Sequence, residues 1–163
     1  MHIYFAGPLF CQSEQAFNLQ LTGKLEERGF TVFLPQRDGI ESSKPPYNEM
    51  TNKEKQKEIF AVDRDQVLEA DVFLFVLDGR VPDEGACVEL GIAYGQKYLL
   101  QRDKLLIGLH TDSRAAFTGD KLNAIIHGSL DHIADNENDL IAAIEEHTLT
   151  RACGGKPLLN KKG

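Results

Sequence analysis

Apolar and polar positions alternate along the chain in two rhythms. Short runs rich in β-branched and aromatic residues predict strands: "HIYFAG" (2–7), "FTVFLP" (30–35), "DVFLFVLD" (71–78) and "KLLIGLH" (104–110). The third is almost continuously apolar, the mark of a strand buried on both faces. Segments of helical spacing lie between them. "SEQAFNLQLTGKLEERG" (13–29) sets Phe17, Leu21 and Leu25 four residues apart, with Ser13 as the expected cap and Gly29 as the stop. "TNKEKQKEIFAVDRDQVLEA" (51–70) opens with Thr51 and Glu54 at capping-box spacing. "GACVELGIAYG" (85–95) predicts a third helix, and "DNENDLIAAIEEH" (135–147) a last one with Leu140, Ile141 and Ile144 inward. The stretch 36–50 reads as loop through its Gly, Ser and Pro residues. One domain is expected over 1–150, followed by an irregular basic tail over 151–163.

Alternating strands and helices predict an α/β fold, a parallel sheet wrapped by helices. Ligands in such folds sit beyond the carboxyl ends of the strands, where the strand order reverses. The loops 7–13, 35–50, 78–85 and 110–123 are therefore where chemistry is expected.

Composition narrows the function. A chain of 163 residues suits one core, and a formal charge of −7 argues against a nucleic-acid backbone as partner. No apolar run reaches the roughly 18 residues of a membrane span, and the first residues lack a basic leader. Three scattered cysteines form neither a disulfide framework nor a zinc-like pair, so a reducing cytoplasm is the expected setting. The five histidines show no metal-ligand spacing, and no dinucleotide fingerprint, Walker A loop or nucleophile elbow occurs.

One acid stands out. The stretch 85–95 holds ten uncharged residues and a single carboxylate, Glu89. Burying an unpartnered carboxylate is costly. Helical side chains lean towards the helix N-terminus, which aims Glu89 at the strand ends, where Asp83 already lies. Asp63, on the preceding helix, is a third acid. Each also has a plain structural reading. Asp83 and Glu84 suit a helix N-terminus, where the dipole favours a carboxylate by about 0.3–1 kcal/mol. Asp63, beside Arg64 and Asp65, suits a solvated face. Gly91 and Gly95 each cost a helix about 1 kcal/mol relative to Ala, which predicts the close approach of another backbone. The helix is apolar nearly all round, so cover is expected on two sides, by the sheet and by a neighbouring helix or a second subunit. A carboxylate nucleophile paired with a carboxylic acid is the machinery of glycosyl transfer.

The segments "IYFAGPLF", "DRDQVLEAD", "PDEGACVELGIAYG" and "DKLNAII" resemble the nucleoside 2-deoxyribosyltransferases over most of the chain. The resemblance implies a flavodoxin-like (Rossmann-like) parallel five-stranded sheet flanked by helices, and no cofactor. It implies exchange of purine or pyrimidine bases on 2′-deoxyribonucleosides through a covalent deoxyribosyl ester. It also implies a homo-oligomer with shared active sites and no membrane or nucleic-acid partner. Position by position, Glu89 matches the nucleophile and Asp83 the acid that orients the sugar hydroxyls. Asp63 matches the acid that exchanges a proton with the base, and Tyr4 the hydroxyl that holds the nucleophile. Gly7, Pro8 and Phe10 match the loop that walls the base pocket. Asn123 matches a residue that reaches the sugar 5′ end from a neighbouring subunit. Gln36 and Arg37 fall in a loop suited to base contacts. A sister group hydrolyses nucleoside 5′-monophosphates and commonly carries serine where Asp83 stands. A carboxylate there repels a phosphate dianion, so free nucleosides are the expected substrates. Nucleoside hydrolysis is the closest alternative, and a non-catalytic nucleotide-sensing module the remote one.

Overall fold

The computed structural model describes residues 1–112 and 122–154. Five strands, β1 (His2–Ala6), β2 (Thr31–Phe33), β3 (Val72–Val76), β4 (Leu105–Leu109) and β5 (His132–Ala134), form one parallel sheet in the order β2-β1-β3-β4-β5. The α-helices among the described residues are α1 (Gln12–Glu26), α2 (Pro35–Asp38), α3 (Asn52–Glu69), α4 (Glu84–Leu99), α5 (Ala124–Ser129) and α6 (Glu137–Ala152). The strand order is the flavodoxin-like one, and its direction reverses between β1 and β3.

The two-residue period of the strands sorts the core into two layers. Ile3, Phe5, Val72, Leu74, Val76, Ile107 and Leu109 face one side. There they meet Leu21 and Leu25 of α1 and Leu140, Ile141 and Ile144 of α6, the inward positions the spacing predicts. Tyr4, Ala6, Phe73, Phe75, Leu77 and Leu106 face the other side, against Val67 of α3 and Ala86, Leu90 and Ala93 of α4. Residues 72–76 are buried throughout, as a strand covered on both faces requires.

Local signals fix most of the boundaries. Thr51 and Glu54 close the expected capping box, with the Thr51 N–H donating to Glu54 Oε2 at 2.8 Å. The cap of α1 differs from expectation: it is Cys11, not Ser13. Glu14 reaches back to accept the N–H groups of Phe10 and Cys11, each at 2.9 Å, and this starts the helix ahead of Ser13. The segment 36–50 is less irregular than its composition suggests. Pro35 presets the first turn of α2, and Asp38 Oδ2 accepts the Leu34 N–H at 2.9 Å. Strand β5 and helix α5 are too short to show a period, and no apolar rhythm marks them.

The described residues bear on two expectations about α4. A side-chain carbon added at Gly91 or Gly95 would meet nothing within 4 Å, so no other backbone approaches within the described residues. The helix also keeps one bare apolar side. It packs against α3 and α5, yet Val88 is 61% and Leu99 82% exposed. The last helix, α6, runs to Ala152, past residue 150. Its Arg151 pairs with Asp71 at 2.7 Å and Asp103 at 3.1 Å, while Asp71 also accepts the His2 N–H at 2.9 Å. These contacts join the end of α6 to the amino edge of the sheet, opposite the loops that matter for chemistry. Residues 155–163 of the expected tail lie outside the described residues.

Candidate active site

Tyr4 sits at an even position of β1, so its ring faces α4 rather than α1. In register with Phe33 of β2 and Phe73 of β3, it forms the middle of an aromatic row across three strands. The ring centroids lie 5.7 and 5.8 Å apart, and the planes are within 15° of parallel. The ring therefore has little freedom. Its hydroxyl, at the switch in strand order, donates a 2.7 Å hydrogen bond to Glu89 Oε1.

Glu89 flanks the inward stripe Ala86–Leu90–Ala93 of α4 and is half-buried. Burial raises its carboxyl to about 7. The Tyr4 bond draws it down, and the charges of Asp63 and Asp83 push it up. The Tyr4 hydroxyl is raised far above its ordinary range, by burial first and then by Glu89, so it remains a donor. Burial raises Asp63 to about 6. Arg64 pairs with Asp65 at 2.8 Å rather than with Asp63, and the field of Asp63 is felt by both Tyr4 and Glu89. Asp83 is the N-cap of α4, its Oδ1 accepting the Ala86 N–H at 2.9 Å. Its charge also raises both Tyr4 and Glu89. The fold brings the four predicted residues Tyr4, Asp63, Asp83 and Glu89 into one electrostatic unit.

The other predicted residues have different surroundings. Gly7 has φ +150°, and a side-chain carbon there would sit 2.9 Å from Val76 Cβ. Glycine lets β1 turn tightly against the end of β3. Pro8 helps line a cavity of about 260 Å³ beside the ends of β1 and β3, with Phe17, Asn18, Val76 and Asp78. Those companions belong to α1 and the β3 end, so this cavity lies on the α1 side of the crest and Glu89 on the other. Phe10 is 81% exposed. Asn123 caps α5, its Oδ1 accepting the Ile125 N–H at 2.8 Å. The guanidinium of Arg37 is committed to Glu26, Asp38 and the Val32 carbonyl. Gln36 is bonded to Asn18 and to the Gln15 carbonyl.

Sequence reasoning passed over two residues at these loops. Asp78 accepts from the Thr111 N–H and hydroxyl and from the Asp112 N–H, tying the β3 end to the loop after β4. Asn18 is buried in α1 and bonds the first loop and α2 at once. The signal for Asn18 was present: it is a polar residue at helical spacing from Leu21 and Leu25 on the inner face of α1. Among the described residues, no group of three or more His, Cys, Asp or Glu side chains is placed to hold a metal ion.

A model of the nucleoside 2-deoxyribosyltransferase family matches residues 3–144. The chain belongs to that family. Among solved structures, a conserved protein from Enterococcus faecalis V583 is 26% identical, with a TM-score of 0.71 over 90% of this chain and 98% of that one. A 2-deoxyribosyltransferase from the psychrotolerant bacterium Bacillus psychrosaccharolyticus is 23% identical, with a TM-score of 0.68 over 86% of this chain and 90% of that one. A CMP N-glycosidase from Clostridium botulinum shares the fold at 17% identity and a TM-score of 0.52, over 90% of this chain and 99% of that one. No curated protein matches the chain. Family membership and the acid cluster together describe a nucleoside-processing enzyme.

The raised carboxyls carry a cost in stability. A folded pKa above the unfolded value means that folding favours the protonated form. For Glu89 that contribution is complete below about 4.5 and is lost as pH rises through about 7. Glu89→Gln keeps an acceptor for Tyr4 and removes the buried charge. We expect it to raise the melting temperature at pH 8 and to have little effect at pH 4.5, measured by circular dichroism.

Proposed function

We propose that this chain exchanges the base of 2′-deoxyribonucleosides by a retaining double displacement, with Glu89 as nucleophile. The observation that carries the reading is the 2.7 Å hydrogen bond from Tyr4 to Glu89 Oε1. It aims one carboxylate oxygen and leaves Oε2 to attack. In the first step Glu89 Oε2 bonds to C1′ and the C1′–N bond breaks. Its electron pair goes to the base nitrogen, which takes the proton of Asp63. In the second step a new base nitrogen bonds to C1′, the ester C–O bond breaks, and the Asp63 carboxylate takes the proton back. A 2′-deoxy sugar lacks an electron-withdrawing hydroxyl, so positive charge develops readily at C1′ and a carboxylate beneath it stabilises that charge. Asp83 Oδ2, not used in the helix cap, is left for a sugar hydroxyl. The loop 7–10 bounds the base.

Hydrolysis by water at the same ester is the second reading, favoured by the fold shared with a CMP N-glycosidase. Against nucleoside 5′-monophosphates stands Asp83, whose carboxylate opposes a dianion. Incubation of deoxyinosine with adenine distinguishes the readings. Transfer yields deoxyadenosine and hydrolysis yields free deoxyribose whether or not adenine is present. We expect deoxyadenosine, no product from Glu89→Ala, and slower turnover of the 5′-monophosphate than of the nucleoside.

The productive form holds Glu89 ionised and Asp63 protonated. The pair titrates with values of about 6 and about 7, so kcat/KM is expected to peak between them and to fall on both sides. Asp63→Asn is expected to lower kcat about 100-fold or more and to abolish the alkaline fall. A pH–rate series on both proteins checks this.

The same reading covers the bare apolar side of α4, Val88 and Leu99, with a second copy of the chain, and lets Asn123 act across that interface. Light scattering at micromolar concentration is expected to give at least a dimer; a strictly monomeric mass contradicts this part.

A further inference from the structure

We propose that Asn18 is a positioning residue for the base-binding wall. The inference rests on the reading above, in which the base lies against the loop 7–10. Asn18 lies on the inner face of α1 and is only 2% exposed. Its Nδ2 donates to the Pro8 carbonyl at 2.9 Å and to Gln36 Oε1 at 2.9 Å. Both amide hydrogens are thereby spent, one on the first loop and one on α2, at the carboxyl edge of the sheet. Gln36 Nε2 donates onward to the Gln15 carbonyl at 2.9 Å, and Gln15 Nε2 donates to the Leu9 carbonyl at 3.0 Å.

These bonds hold two successive residues of the first loop, directly after Gly7. Gly7 is seated against Val76, the Pro8 carbonyl is held by Asn18, and the Leu9 carbonyl by Gln15. Proline has no N–H, so its carbonyl is the only backbone group through which Pro8 can be held. The same amide orients Gln36 in α2. Pro8 and Asn18 both line the 260 Å³ cavity. Asn18 therefore ties the loop that borders it, through Pro8, to α2, through Gln36. An aspartate at position 18 has the same shape but no donor when ionised, and its charge would face the Pro8 and Gln36 oxygens. The wall would move while the Tyr4–Glu89 pair, on the other side of the sheet, would not.

Calorimetric binding of free adenine and free cytosine tests this without turnover. We expect Asn18→Asp to weaken the tighter-binding base about tenfold, the scale of one lost hydrogen bond. In base exchange, KM for the base is expected to rise by a similar factor, with kcat at saturation changing less than about threefold. A merely structural role would instead lower the melting temperature and kcat and leave KM unchanged. Asn18→Ser, which retains one donor and no charge, is the second variant, with a smaller shift in the same direction. The proposal is overturned if folded variants bind both bases within about twofold of the parent protein, or if the parent binds neither base. Absence of base exchange with base binding intact contradicts the transfer reaction alone and leaves Asn18 to be judged by the binding constants.

Discussion

A carboxylate on an apolar helix has to be held by something, and here it is held by a tyrosine from the middle of the sheet. The Tyr4–Glu89 hydrogen bond is the contact on which the site depends. Its geometry is inherited from β pairing. Parallel register puts Phe33, Tyr4 and Phe73 in one row, and the row fixes the ring that fixes the hydroxyl. A site built on strands and a helix is more precise than one built on loops. The loops then have a different task, which is to bound whatever occupies the crevice.

The electrostatics of the crevice work against the fold and in favour of chemistry. Asp63 and Asp83 both raise the energy of an ionised Glu89, and burial raises the carboxyls of Asp63 and Glu89 further. Among the described residues, no cation contributes to the shift of either carboxyl. A cation beside Glu89 would stabilise its ionised form in the resting protein and compete with the positive charge that develops on a sugar. Tyr4 instead offers a neutral donor, which aims the carboxylate without cancelling its charge. The cost is borne by the core layer formed with α3 and α4, where Phe73, Leu90 and Leu106 are fully packed.

Much of this was legible in the sequence. The apolar run 72–76, the Thr51–Glu54 box and the inward triplet Leu140, Ile141 and Ile144 specify their elements locally. The lone acid in 85–95 pointed to Glu89, and side-chain lean pointed to its neighbours. Less legible was whatever depends on tertiary partners. β5 is a three-residue edge strand whose existence is decided by β4. The cap of α1 moved to Cys11 because Glu14 reaches backwards, which spacing alone does not fix. Gly91 and Gly95 predicted a close backbone that the described residues do not supply. Part of the loop 110–123 lies outside the described residues, and Asn123 at its end is engaged as a cap. Asn18 teaches the converse: a polar residue on an inner helix face implies a hydrogen-bonding partner, although the chain pattern does not say which one.

The central claim is covalent, and mass reports it directly. Intact-protein mass spectrometry after brief exposure to a 2′-deoxynucleoside, without added base, should find one deoxyribosyl group per chain, mapped by peptide fragmentation to Glu89. An unmodified chain under conditions of demonstrated turnover, or an adduct on any other residue, would contradict the account.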